Sequence, residues 1–147
     1  MSNEFEFYHG AALCKIIHSS PQVAIKLYSE KSNSSYIVND DIGIFVKYST
    51  KRMSPWQFTF AMEHCDELFN MVQNIKLVFL VLVCNDDGIA CLKIDEIKNL
   101  LNKSLDKPQS ITVARRPREK YRVSGGKDGK FKIKIANNQF PAIIFER

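Results

Sequence analysis

Residues 77–84 read LVFLVLVC, eight apolar side chains in an unbroken row. A strand points alternate side chains to opposite faces, so a wholly apolar strand is buried on both. It therefore belongs in the middle of a sheet with other layers packed on each side. Eight residues fall far short of the ~20 that a membrane-crossing helix needs. A chain of 147 residues forms one domain that buries about two-thirds of its unfolded surface, without help from disulfides. The four cysteines, Cys14, Cys65, Cys84 and Cys91, show no Cys-x-x-Cys spacing. They are expected to be reduced thiols in a cytoplasmic protein, mostly in apolar surroundings. Cys84 and Cys91 flank an Asn-Asp-Asp-Gly turn and are placed to face each other across a hairpin. The acidic start, MSNEFEF, lacks the apolar segment of a secretory leader. A soluble protein with no membrane association is expected.

The pattern around the central strand predicts the remaining elements. Phe5, Tyr8, Ala12, Leu13, Ile16 and Ile17 recur at helical spacing over 4–19. Residues 23–28 alternate as a half-buried strand, and 35–39 and 42–49 are strands joined by an Asn-Asp-Asp turn. Residues 56–60 either extend the sheet or lead into the next helix. Thr59 is placed to cap a helix running to about Gln73. After the 77–84 strand, Asp86-Asp87-Gly88 reads as turn chemistry, and 89–94 returns. Asp95 is placed to cap a short helix. Strands follow at 110–114 and 131–135, and the apolar tail QFPAIIF (139–145) is expected to dock onto the body. The fold class is α+β: a mixed β-sheet flanked by helices, with an αβββαβ core over 1–102 and a β-rich basic extension over 103–147, all within a single domain.

One position in this order carries chemistry. Strand 42–49 reads IGIFVKYS and presents Lys47 near its end, followed by Tyr48, Ser49, Lys51 and Arg52. The αβββαβ order over residues 4–84, with a lysine at that place, resembles the PD-(D/E)XK nuclease superfamily. That resemblance implies a divalent metal held by carboxylates, with Lys47 positioning or activating the attacking water. The acid that the family places two residues before the lysine is Phe45 here. Asp40 and Asp41, in the preceding turn, are the acids assigned to catalysis and to the metal, provided that they reach Lys47. The resemblance thus implies Mg²⁺ if the chain is a nuclease and no cofactor otherwise; a relative that binds without cutting is the other expectation.

Charge points to an anionic partner. Residues 1–102 hold 9 Lys/Arg against 12 Asp/Glu, whereas residues 103–147 hold 12 against 4. DNA or RNA is the expected partner of such a basic segment, in a small protein of a prokaryote or its phage. Lys51, Arg52, Arg115, Arg116, Arg118, Lys120 and Arg122 are the candidate phosphate contacts, with Tyr121 as an interleaved base platform. Lys130, Lys132 and Lys134 share one strand face, either to contact phosphate or to protect an exposed sheet edge. Trp56 reads as a core anchor and His64 as an exposed helix histidine. The alternative function is a protein-interaction module, an inhibitor or accessory subunit, with Trp56 and the 139–145 tail anchoring a protein partner or a homodimer.

Overall fold

In the computed structural model, which describes residues 4–20, 22–30, 32–103, 107–126 and 129–146, the apolar run forms strand β5 (Leu77–Cys84). It lies between β3 (Ile42–Ser49), parallel to it, and β6 (Gly88–Lys93), antiparallel. Helix α2 (Met62–Asn74) makes the crossover that parallel pairing requires. Strands β1 (Ile25–Leu27) and β2 (Ser35–Val38) complete a five-stranded sheet in the order β1-β2-β3-β5-β6. The fold is α+β with a mixed sheet, as the sequence implies.

Both faces of β5 are covered, each by a different layer. Val81 and Val83 join Ile44, Val46 and Cys91 beneath helix α1 (Glu4–Ser19), which inserts Ala12 and Ile16. The C-terminal segment docks on the same side through Phe140 and Ile144, and the Gln139 side chain donates to the Cys91 carbonyl at 2.9 Å. Leu80, Leu82 and Cys84 face the other way. They pack against α2, against α3 (Ile94–Leu100), and against a second sheet. Cys84 and Cys91 therefore lie in separate cores on opposite faces, not opposite each other; Cys91 pairs with Val81. All four cysteines are free, Cys14 exposed and the others buried.

The second sheet is antiparallel, in the order β4-β7-β8-β9, formed by β4 (Trp56–Phe60), β7 (Gln109–Ala114), β8 (Tyr121–Gly125) and β9 (Phe131–Ile135). Residues 56–60 do not extend the first sheet. Their strict alternation turns Trp56, Phe58 and Phe60 onto the first sheet and Gln57 and Thr59 to solvent. A strand with one wet face suits the second sheet and would be misplaced within the doubly covered first. The basic 103–147 segment thus completes a sheet that β4 begins, over one shared core. Thr59 stays in β4, and α2 starts later, at Met62. Likewise α3 starts at Ile94, where Glu96 accepts from the Lys93 N–H at 3.0 Å, so Asp95 is not its cap.

Candidate functional site

Phe45, Lys47 and Ser49 alternate onto the α2 side of β3. Lys47 reaches past the start of β2 into half-buried surroundings. Its Nζ stands 5.1 Å from the Phe60 ring centroid and 3.3 Å from His64 Nδ1. The same Nδ1 accepts the Ala61 N–H at 3.3 Å, at the entry to α2. A ring nitrogen that accepts is unprotonated, so the neutral imidazole carries its proton on Nε2. Burial lowers the Lys47 pKa, with nearby Cys65 opposing. Burial also lowers that of His64; Lys47 adds to this, and Glu63 and Glu67 oppose it. Beside the pair lies an open cleft of about 530 Å³, lined by Ser32, Asn33, Ser34, Glu63, His64 and Glu67 among others. His64 is therefore not the exposed helix residue that its helical position implies. Its partner is 17 residues away in the chain, and no sequence spacing signals the contact.

The expected acids do not join this pair. Asn39 and Asp40 have φ of 53° and 65°, the left-handed conformations of a tight turn. Asp40 is committed to Lys26 at 2.9 Å. From Asp41 to Lys47 the chain runs six residues in extended form, about 20 Å at ~3.3 Å per residue. Asp40 and Asp41 thus sit at the opposite end of β3 from Lys47, beyond side-chain reach. Among the described residues, no group of three or more His, Cys, Asp or Glu is placed to hold a metal ion. The carboxylate set that Mg²⁺ needs is not assembled by Asp40 and Asp41 at Lys47.

The basic cluster divides into two sets. Arg115 is held by structure: its Nε and Nη2 donate to the two Asp87 carboxylate oxygens at 2.9 and 2.8 Å. Tyr121 donates its hydroxyl to the same carboxylate at 2.8 Å and is fully buried, edge-on to Trp56. Hydrogen bonding from Arg115 holds the Asp87 pKa below its ordinary value, with Tyr121 assisting against burial. Tyr121 is thus a core residue and not a base platform, and Arg115 is not free for phosphate. Strand alternation explains the difference, since Tyr121, Val123 and Gly125 point inward while Arg122 points out. Asp87 is more than turn chemistry, for it ties the β5–β6 turn to the second sheet.

Arg116, Arg118, Lys120 and Arg122 remain exposed. The loop with exposed Lys51 and Arg52 meets them at one corner: Ser54 Oγ accepts the Arg115 N–H at 2.9 Å, and Trp56 Nε1 donates to the Lys51 carbonyl at 2.8 Å. From this corner the outer face of the second sheet extends. Arg122 lies directly opposite Lys134, and Ser124 opposite Lys132. Thr112 and Ala114 continue the rows on β7, opposite Ser124 and Arg122. These six residues line a shallow depression of about 500 Å³. Among the described residues of this face there is no Asp or Glu. Like charges directly across a strand pair cost stability, and neither Arg122 nor Lys134 forms an ion pair among the described residues.

No protein-family model, curated protein or solved structure matches this chain. No helix among the described residues is long and apolar enough to cross a membrane.

Proposed function

We propose that this chain binds the phosphodiester backbone of DNA or RNA through the outer face of its second sheet and the adjoining loops. The carrying observation is the cross-strand pair Arg122–Lys134, unpaired on a face without acids among the described residues. The cost of setting two cations side by side is recovered when phosphates bridge them. Lys132, Arg116, Arg118, Lys120, Lys51 and Arg52 extend the same field. Among the described residues no aromatic side chain stands on this face, so recognition rests on phosphates more than on base stacking.

A degenerate relationship to the PD-(D/E)XK nucleases is part of this proposal. The run α1-β1-β2-β3-α2-β5, interrupted by β4, with β3 and β5 parallel and Lys47 near the end of β3, supports it. Cleavage has less support, because Asp40 and Asp41 stand far from Lys47 and, among the described residues, no group of three or more His, Cys, Asp or Glu is placed to hold a metal ion. The protein-module alternative loses its proposed anchors, since Trp56, Phe140 and Ile144 are buried within this chain.

The test is incubation with labelled single- and double-stranded DNA and RNA, with Mg²⁺ or Mn²⁺ and with EDTA, read for retardation and for cleavage. A salt-sensitive shift without cleavage is expected. Metal-dependent cutting that is lost in Lys47→Ala would restore the enzyme reading. Absence of both signals would overturn nucleic-acid binding.

A further inference from the structure

The outer face of the second sheet is built in rows whose order is set by strand register. One row crosses the whole sheet and reads Gln57, Thr112, Ser124, Lys132. Thr59 opposite Ser110 makes the row on one side of it. Ala114, Arg122 and Lys134 make the row on the other. Over β4 and β7 the face is therefore low, a floor of hydroxyl, amide and methyl groups. The long cationic side chains stand toward its margins. Lys132 and Lys134 follow the β9 edge. Arg116, Arg118 and Lys120 lie in the turn from β7 to β8, and the loop with Lys51 and Arg52 leads into β4, the opposite edge strand. Charge thus runs along one edge and around one end of the face, across three strand spacings, about 14 Å at ~4.8 Å each.

We infer that the ligand of this face is double-stranded RNA, gripped across its minor groove. This deepens the phosphate-backbone reading and rests on it. Single strands are held along one cationic track, with aromatic platforms for the bases. On this face the cations spread in two directions, and among the described residues no aromatic side chain accompanies them. That spread suits a duplex, which offers phosphates on two backbones with a groove between. Relief decides the form of the duplex. The major groove of B-DNA, about 12 Å wide and ~8.5 Å deep, is read by an inserted helix or two-stranded ribbon. A four-stranded face, about 14 Å between its outer strand axes, is too broad to enter it. The minor groove of an A-form RNA helix is wide and shallow, and it displays 2′-hydroxyls between its phosphate lines. A low floor with cationic margins matches that surface. Gln57, Thr112 and Ser124 can both donate and accept, as a 2′-hydroxyl can, while Arg122, Lys132 and Lys134 take phosphates. The depression of about 500 Å³ over Thr112, Ala114 and Ser124 gives room for a ribose edge. None of these contacts reads a base, so binding is independent of sequence.

Anisotropy titrations of the full chain with labelled duplexes of about 16 base pairs test this. One sequence is offered as duplex RNA, as duplex DNA and as single strands of each, at ~100 mM salt. Duplex RNA is expected to bind roughly tenfold tighter than duplex DNA or either single strand. Duplex RNA with 2′-O-methyl riboses keeps the A-form and the charge but cannot donate from the 2′ position, and it is expected to lose most of that advantage. Thr112→Val/Ser124→Ala is expected to bring the RNA and DNA duplexes to similar affinity, with an unchanged circular dichroism spectrum. Duplex DNA or single strands bound as tightly as duplex RNA would overturn this inference and leave backbone binding in place. An RNA preference that outlasts either the methylation or the double substitution would do the same. Binding to none of the probes would overturn both readings together.

Discussion

Arg115 and Asp87 meet in a two-pronged ion pair, 2.8 and 2.9 Å long, that joins the β5–β6 turn to the end of β7. The side chains are only 16% and 23% exposed, and the Tyr121 hydroxyl completes the carboxylate's shell. Removing one partner leaves the other desolvated and unpaired. Asp87→Asn and Arg115→Ala are each expected to cost about 2–3 kcal/mol in chemical denaturation. Because the Asp87 pKa is lowered by folding, its contribution is complete above the ordinary value of 3.8 and is lost as pH falls through the lower folded value. The acid limb of a melting-temperature profile should therefore flatten in Asp87→Asn. A normal acid limb in that variant would count against the pair.

Arg122 and Lys134 should show the opposite balance. Each exposed cation that meets a phosphate adds about one to the slope of log affinity against log salt. Arg122→Ala/Lys134→Ala is expected to lower that slope by about two. The folded state should be unchanged or steadier by roughly 0.2–1 kcal/mol, because a like-charged cross-strand pair is gone. Arg115→Ala, in contrast, should lower stability with little change in slope. Fluorescence anisotropy across a salt series, set beside urea denaturation, separates the two kinds of arginine. An unchanged slope in the double variant would remove the basic face from the binding site.

Gly88 sits beneath the same Tyr121 hydroxyl. Its φ is 152°, and a Cβ there would stand 2.6 Å from Tyr121 Oη, in a site where that oxygen is already bonded to Asp87. Gly88→Ala is expected to cost roughly 1–3 kcal/mol from strain together with displacement of the hydroxyl. Adding Tyr121→Phe should recover part of that loss, since the displaced oxygen is then absent. Equal losses in the single and double variants would show that backbone strain alone matters.

How far the sequence disclosed this molecule follows from the range of each signal. The unbroken apolar run of β5 marked a doubly covered strand, and the three-and-four spacing marked α1. Both signals are local, and both elements stand where they were expected. Pairing between distant segments is not local. Residues 56–60 alternate equally well for an extension of the first sheet or for a second sheet, and only the partner strand β7 decides. The same limit governs the candidate site. Lys47 was visible as a lysine near a strand end, but its contact with His64 depends on how α2 enters. Among the arginines and Tyr121, composition marked the cluster, and strand phase decided which members face solvent.

Lys47 and His64 make a prediction that depends on their contact alone. The amine is half-buried beside Phe60, and it forms no salt bridge among the described residues. At neutral pH a desolvated cation with no carboxylate partner destabilises the folded state. Lys47→Met keeps the length and removes the charge, so it is expected to stabilise the fold by roughly 0.5–2 kcal/mol. Lys47 also helps to hold the His64 pKa down, with Glu63 and Glu67 opposing. The substitution should therefore raise the His64 pKa in a proton NMR titration. His9, buried on α1 with Nδ1 2.9 Å from the Tyr36 hydroxyl, has its pKa lowered by burial and, more weakly, by Lys47, with the Asn33 carbonyl opposing. Both histidines have folded values below 6.5, so their contribution is complete above that pH and is lost as pH falls through the folded values. That acid-side loss should shrink in Lys47→Met. A His64 titration that does not move would mean that the 3.3 Å contact is not made in solution.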